Sequence, residues 1–236
     1  MAKYLVTGGA GFIGSNIVEK LVDNGQEVVV LDNFSTGKWS NIAALETRIK
    51  VIEGDIRDKN MVMQAVHGMD YVLHQAALPS VPRSINDPIS SNEANVSGTL
   101  NLLVAARDCG VKRFVYASSS SAYGDTEVLP KVENMPAKPM SPYAVSKYTG
   151  ELYCSVFHQL YSLQTICLRY FNVFGPKQDP QSQYAAVIPR FITMMLEGNA
   201  PVVYGDGGQS RDFTFVDNVV SANLLACENS TTFGEV

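Results

Sequence analysis

The chain has 236 residues, enough for one large domain or two small ones. Hydrophobic residues make up 46% and charged residues 17%, which excludes a disordered chain. A net charge of −5 gives no support to nucleic acid or an anionic membrane as a partner. The four cysteines, Cys109, Cys154, Cys167 and Cys227, are scattered without a C-x-x-C and read as buried thiols of a reducing compartment. The three histidines show no ligand spacing, so no metal site is expected. No apolar run reaches membrane-spanning length, and the N-terminal apolar stretch leads straight into glycines, as a first strand does. The expected location is the cytoplasm.

Residues 3–7 form a short apolar strand, followed by Gly8-Gly-Ala-Gly-Phe-Ile-Gly14 and an amphipathic helix to about Asn24, with Gly25 as its C-cap. Residues 27–31 read as a buried strand ending at Asp32. The glycines satisfy G-x-G-x-x-G as Gly9, Gly11 and Gly14, and G-x-x-G-x-x-G as Gly8, Gly11 and Gly14. A strand, a glycine turn, a helix and an acid after the next strand make a dinucleotide site. Missing β-carbons let backbone approach a pyrophosphate, and the helix N-terminus offers N–H donors. Asp32 would accept the adenosine ribose hydroxyls and repel a 2′-phosphate; no arginine is near and Lys38 is the nearest base, so NAD is favoured over NADP.

Further strands are expected at residues 49–53, 70–73, 112–117 and 164–169, and helices at 59–67, 90–108 and 141–161. Alternating strands and helices argue for a parallel sheet with helices on both faces. Small residues after the fourth strand, His74-Gln75-Ala76-Ala77, suit a cofactor crossing the sheet edge. The fifth strand ends in four serines, Ser118–Ser121, which a plain strand-end hydrogen-bonding cluster would also explain. After residue 172 the texture is loop-rich, with a helix expected at 187–196, short strands at 201–204 and 211–215, and a helix at 216–227.

The helix opening at Ser141, its N-cap, carries Tyr143 and Lys147 four residues apart, on one face. An ammonium ~4 Å from a phenol, at an effective dielectric of ~20, favours the phenolate by about 4 kcal/mol, or about 3 pKa units. That would bring a tyrosine near neutrality, where a general acid/base works best.

The TGGAGFIG run at 7–14, Asp32, the serine cluster and the Tyr143–Lys147 pair together resemble the extended short-chain dehydrogenase/reductase family, over essentially the whole chain. Asp55-Ile56, Asn95 in N-V-S-G-T, R-Y-F-N at 169–172 and S-R-D-F at 210–213 match in place. The resemblance implies an α/β fold, a Rossmann-type doubly wound parallel sheet over residues 1–171. A smaller C-terminal substrate domain is expected over 172–236, lacking its last elements. It implies tightly bound NAD held by Gly8, Gly11, Phe12, Ile13, Gly14, Asp32, Asn33, Ser35, Thr36, Gly37, Asp55 and Ile56, and by Gln75, Ala76, Ala77, Asn95, Tyr143, Lys147 and Phe171. Ser119, Ser120, Tyr143, Asn172, Val187 and Arg211 are the implied substrate contacts. Ser119, four residues before Tyr123, best matches the family's catalytic serine, within one residue of its neighbours. Lys147 would hold the nicotinamide ribose.

Within the family the run from Ser118 to Tyr153 and residues 183–190 look like the UDP-hexose 4-epimerases, in particular those acting on N-acetylated UDP-sugars. Dehydratases and decarboxylases of the family carry an acid just after the catalytic serine or threonine; here Ser120 and Ser121 stand there. What remains is reversible oxidation at the sugar C4 through a 4-keto form, with Tyr143 as base. The alternatives are a nucleotide-sugar 4-ketoreductase or dehydrogenase, a UDP-glucuronate 4-epimerase, or a non-catalytic NAD-binding protein. A homodimer is implied through a four-helix bundle of helices 90–108 and 141–161.

Overall fold

The apolar runs between the glycines and acids of the first half become parallel strands. A computed structural model of the chain describes residues 1–180, 187–203, 205–228 and 231–236. Strands β1 (Lys3–Thr7), β2 (Glu27–Asp32), β3 (Lys50–Glu53), β4 (Tyr71–His74), β5 (Arg113–Ser119) and β6 (Thr165–Tyr170) form one sheet in the order β3-β2-β1-β4-β5-β6. Every pairing is parallel. Helices α1 (Phe12–Asp23), α2 (Lys59–Val66), α5 (Gly98–Asp108), α6 (Pro142–Tyr161) and α8 (Val216–Glu228) cover its two faces.

The two-residue period of the strands sorts the core. Leu5, Leu31, Val72, Phe114 and Tyr116 face α2, α5 and α6 through Val62, Leu102, Leu103, Cys154 and Phe157. Val6, Val30, Leu73 and Val115 face α1 and α8 through Ile17, Leu21, Val216 and Val220. Each such side chain, fully buried, contributes about 1.5–3 kcal/mol. The strand order reverses between β1 and β4, so their carboxyl ends open a crevice at that point.

Several elements differ from the sequence expectation. Helix 90–108 starts earlier, as α4 (Pro88–Asn92), and passes through a π-turn at Glu93–Ser97 before α5. A short helix, α3 (Val81–Asn86), precedes it, N-capped by Ser80. Strand β5 runs on through Ser119 before a 3₁₀ turn at Ser120–Tyr123. Residues 201–203 are irregular, Pro201 having no N–H for a ladder, and Tyr204 lies outside the described residues. The strand expected at 211–215 is β8 (Phe213–Phe215), which pairs in parallel with β7 (Asn172–Phe174) as a separate two-stranded sheet. Of residues 172–236, β7, β8 and α7 (Val187–Leu196) lie outside the main sheet, whereas α8 packs into its core.

The switch point is pinned by a buried histidine. His74, 1% exposed at the end of β4, has Nδ1 2.7 Å from Thr7 Oγ1 and Nε2 2.9 Å from Thr99 Oγ1. The Thr99 hydroxyl donates to the Asn95 carbonyl at 2.6 Å. Its single proton is thus used, so His74 Nε2–H donates to Thr99 and Nδ1 accepts from Thr7. Burial, with the Lys147 charge nearby, lowers the imidazole from 6.5 to about 3. The folded state therefore excludes a proton that the unfolded chain takes up below about 6.5. Stability held above pH 6.5 should be lost as pH falls from 6.5 towards 3. His74→Gln should lower the melting temperature at pH 7 and flatten its decline across that window; an unchanged decline would show that His74 is not the group responsible.

Candidate active site

A cavity of about 720 Å³ lies along the carboxyl ends of β1, β2, β4 and β5, over the switch point. Its floor begins at the glycine turn. Gly8 has φ +67°, and a β-carbon there would sit 2.7 Å from Ala76 N; one on Gly14 would sit 2.1 Å from Gly8 O. Gly14 is thus required by close approach within the turn, and Gly8 by its approach to the segment that follows β4. Gly11 is the N-cap of α1, with no side-chain cap, so the first-turn amides at Phe12, Ile13 and Gly14 are left for a ligand. All five residues line the cavity.

The acid end follows. Asp32 lines the cavity while Oδ2 accepts Ala10 N–H at 2.9 Å and Oδ1 accepts Phe34 N–H at 2.8 Å. Burial raises its carboxyl, and those two amides oppose the rise. Asn33, Ser35, Thr36, Asp55 and Ile56 line the same end. Arg57 donates three bonds to Asp55, from its backbone N–H at 2.8 Å and its guanidinium at 3.0 and 2.8 Å, and Asn33 Nδ2 donates a fourth at 2.8 Å. The Arg57 bonds hold the Asp55 carboxyl down at about 2. Gly37 is packed behind this wall, where a β-carbon would meet Ala10 and the Asp32 carboxylate, and does not line the cavity. The acid-capped crevice, its uncapped helix N-terminus and its length along four strands fit an NAD molecule.

Gln75, Ala76 and Ala77 line the middle, with Tyr170 across from them. Gln75, Tyr170 and Asn223 of α8 form a closed set: Asn223 Nδ2 donates to Tyr170 Oη at 2.6 Å, Tyr170 to Gln75 Oε1 at 3.2 Å, and Gln75 Nε2 to Asn223 Oδ1 at 3.1 Å. Asn95 does not reach the cavity. It is 1% exposed and binds Leu78 instead, accepting its N–H at 2.8 Å and donating to its carbonyl at 3.2 Å. It shapes the wall that Leu78 forms rather than touching what lies inside.

Tyr143 and Lys147 line the far end, both from α6. The expected charge pairing differs in this structure. The Lys147 ammonium, 4% exposed, donates to the Ala117 carbonyl at 2.8 Å and lies 5.1 Å from the centre of the Tyr116 ring. Burial lowers it from 10.5 to about 8. Burial also raises the Tyr143 phenol, opposed by a hydrogen bond with Ser119. Ser119 Oγ already accepts from Ser121 N–H at 3.2 Å and Ser121 Oγ at 2.9 Å. Its own proton is therefore the one that points to the phenol oxygen, the arrangement that favours phenolate. Ser119 thus meets the site through Tyr143, while Ser118 lines the cavity wall and Ser120 begins the 3₁₀ turn.

Glu151, four residues beyond Lys147 on the same helix face, was not picked out from the sequence. It accepts a short hydrogen bond from Ser118 and a bidentate pair from Arg169 at 2.9 and 2.7 Å. The pair is buried, with side chains 3% and 7% exposed. Arg169 lies over the Tyr123 ring at 4.5 Å. Three successive i, i+4 positions, Tyr143, Lys147 and Glu151, were the available signal.

Four expected residues lie elsewhere. Phe171 faces a second cavity of about 360 Å³ with Tyr123, their rings 6.3 Å apart. Asn172, in β7, donates Nδ2–H to the Asp212 carbonyl at 2.9 Å, which brings it beside Arg211. The exposed Arg211 donates to Ser210 O at 2.7 Å. Val187 opens α7 and is 41% exposed; residues 183–186 of the segment before it lie outside the described residues. Among the described residues no group of three His, Cys, Asp or Glu could hold a metal ion.

The NAD dependent epimerase/dehydratase family model matches residues 4–235. A protein of Methanocaldococcus jannaschii described as a putative UDP-glucose 4-epimerase is 44% identical over 224 residues, 94% of this chain and 72% of that one. The structure of UDP-N-acetylglucosamine 4-epimerase from Methanobrevibacter ruminantium, in complex with UDP-N-acetylmuramic acid, is 43% identical. It has a TM-score of 0.94 and covers 98% of this chain and 74% of that one. A point mutant of the UDP-glucuronic acid 4-epimerase from Bacillus cereus, solved with a fluorinated UDP-glucuronic acid and NAD, is 35% identical, with a TM-score of 0.90 over 99% of this chain and 76% of that one. With this match over nearly its whole length, and with the crevice and the Tyr143–Lys147 pair in place, the chain belongs to the NAD-dependent epimerase/dehydratase family.

Proposed function

We propose that the chain is an NAD-dependent 4-epimerase of a UDP-sugar, acting on the UDP-N-acetylglucosamine/UDP-N-acetylgalactosamine pair, the UDP-glucose/UDP-galactose pair, or both. The observation that carries this reading is Tyr143 hydrogen-bonded to Ser119 at the cavity end, with serines at 120 and 121 where family members that eliminate or decarboxylate carry an acid. Bound NAD would supply a hydride acceptor at the sugar C4, and a donor to its opposite face. Tyr143 takes the proton of the 4-hydroxyl and gives it back after the 4-keto form. Ser119 donates to the phenol oxygen and so acts on the sugar through Tyr143. Lys147, held by Ala117, would contact the nicotinamide ribose. The α1 first turn would take the pyrophosphate, Asp32 the adenosine ribose, and Asp55 and Ile56 the adenine end. Phe171 and Asn172 would close on nicotinamide and sugar, and Arg211 and Val187 on the nucleotide and sugar.

Protein purified with its own NAD should interconvert UDP-N-acetylglucosamine and its 4-epimer with no nicotinamide added. Strict dependence on stoichiometric external NAD(P)H would make it a reductase instead. Running UDP-glucose and UDP-glucuronate beside it assigns the sugar. Tyr143→Phe should keep NAD and lose turnover by about 10²–10⁴-fold, as for a general acid/base; wild-type turnover would remove Tyr143 from the mechanism.

The chain is further proposed to form a homodimer through α6 and the α4–α5 helix. Val145, Leu152, Val156 and Leu160 form an apolar stripe on α6 and are 43–69% exposed, and Ile89 of α4 is 71% exposed. Such a stripe suits a four-helix bundle with a second copy. Leu152→Glu should convert a dimer to a monomer in sedimentation analysis; a monomeric parent would overturn the assembly. Among the described residues no helix is long and apolar enough to cross a membrane, and the four cysteines are free thiols, all buried except the half-buried Cys109, which supports a cytoplasmic location.

A further inference from the structure

The first turn of α6 leaves backbone donors that need partners. Pro142 has no N–H to place. Ser141 satisfies two others from within the helix: its Oγ accepts Ala144 N–H at 3.1 Å and its carbonyl accepts Val145 N–H at 2.9 Å. The Tyr143 N–H alone goes outside. It donates at 3.0 Å to Ser84 Oγ, on α3, whose own proton goes to the Val81 carbonyl at 2.8 Å. Ser84 is 0% exposed, so this pairing is made away from bulk solvent.

The Tyr143 carbonyl is tied to the same strap by a second route. Ser146 Oγ donates to it at 2.8 Å and accepts from Asn95 Nδ2 at 3.1 Å. Asn95 in turn holds both backbone groups of Leu78. Leu78 and Pro79 line the cavity that Tyr143 closes. Ser80, which follows them, sits at φ +109°, a conformation a serine keeps only when its surroundings impose it. Both ends of the Tyr143 residue are therefore referenced to the strap of residues 78–84, one wall of the crevice. The helix alone would not fix that spacing.

We propose that Ser84 is a positioning residue for Tyr143, its hydroxyl setting where the phenol stands relative to the cavity wall and hence to the reacting oxygen. This rests on the reading of Tyr143 as the acid/base. A misplacement of about 1 Å can cost about 10²-fold in rate, so loss of one of two anchors belongs within that range.

Ser84→Ala should lower kcat by about 10- to 100-fold, with KM and bound NAD close to wild type. In a Tyr143→Phe background the same change should have no further effect on kcat, because the group it positions is gone. Equal losses in both backgrounds would show that Ser84 merely supports the fold, and would overturn the proposal. A raised KM with unchanged kcat would overturn it too. Ser84→Cys keeps the volume with a weaker acceptor and should show a smaller loss of the same kind, should the alanine variant not fold. Hydrogen exchange needs no turnover: Ser84→Ala should speed exchange at the Tyr143 amide while the remainder of α6 keeps its protection. General loss of protection over α3 and α6 would overturn the proposal. Full turnover of Tyr143→Phe alone would instead overturn the acid/base reading, leaving the exchange result to decide what Ser84 holds.

Discussion

Polar groups are buried at the carboxyl ends of β1, β4, β5 and β6, and each must find a partner there. A crevice at the switch point needs polar residues at its edge, yet the helices above exclude water from the layer behind them. The result is three side-chain sets. Thr7, His74 and Thr99 close the gap between β1 and β4. Ser118, Glu151 and Arg169 close that between β5, α6 and β6. Gln75, Tyr170 and Asn223 tie the ends of β4 and β6 to α8. Removing one member of the buried Glu151–Arg169 pair would strand the other charge, at a cost of about 3–5 kcal/mol. These sets fix the ends of β1, β4, β5 and β6, and so the floor of the cavity between them. The π-turn in the helix above β4 belongs to the same account, since Thr99 and Asn95 turn their polar groups inward there.

What was legible in the sequence was what is local. Strand period, glycine spacing and an acid one strand later are properties of short windows, and they place Gly8, Gly11, Gly14 and Asp32 at the crevice. The i, i+4 pair on α6 is equally local. Partners separated by long stretches were not legible: Ser118 and Glu151 are 33 residues apart, and Ser84 and Tyr143 59. Asn95 shows the intermediate case. Its position near the cofactor crevice could be read from its motif, but not that its amide would be spent on Leu78, because that depends on the strap folding back against the π-turn and α6. The glycines carry a similar lesson. Backbone approach to a phosphate was the expected reason for them, and Gly14 is also required by the turn's own packing and Gly8 by the segment after β4. Residues 172–215 were least legible, since their two-stranded sheet is built from three-residue strands too short to show a period.

The activation of Tyr143 turns on which electrostatic effect is larger. A bare cation beside a phenol would favour the phenolate by about 4 kcal/mol at ~4 Å. That figure assumes the ammonium is free to approach and is itself fully charged. In this fold one N–H of Lys147 goes to the Ala117 carbonyl, and burial has brought the ammonium down to about 8. At pH 7 it is still mainly protonated, so the charge survives, and its effect is seen on neighbouring His74. The same burial raises the phenol, and desolvation outweighs the Ser119 hydrogen bond that opposes it. Ser119 is therefore the residue of this chain that pulls Tyr143 towards ionisation, and it can do so because Ser121 saturates its lone pairs and leaves its proton directed at the phenol. Within the proposed mechanism the serine cluster therefore works as a pair: Ser121 orients Ser119, and Ser119 hydrogen-bonds the Tyr143 phenol.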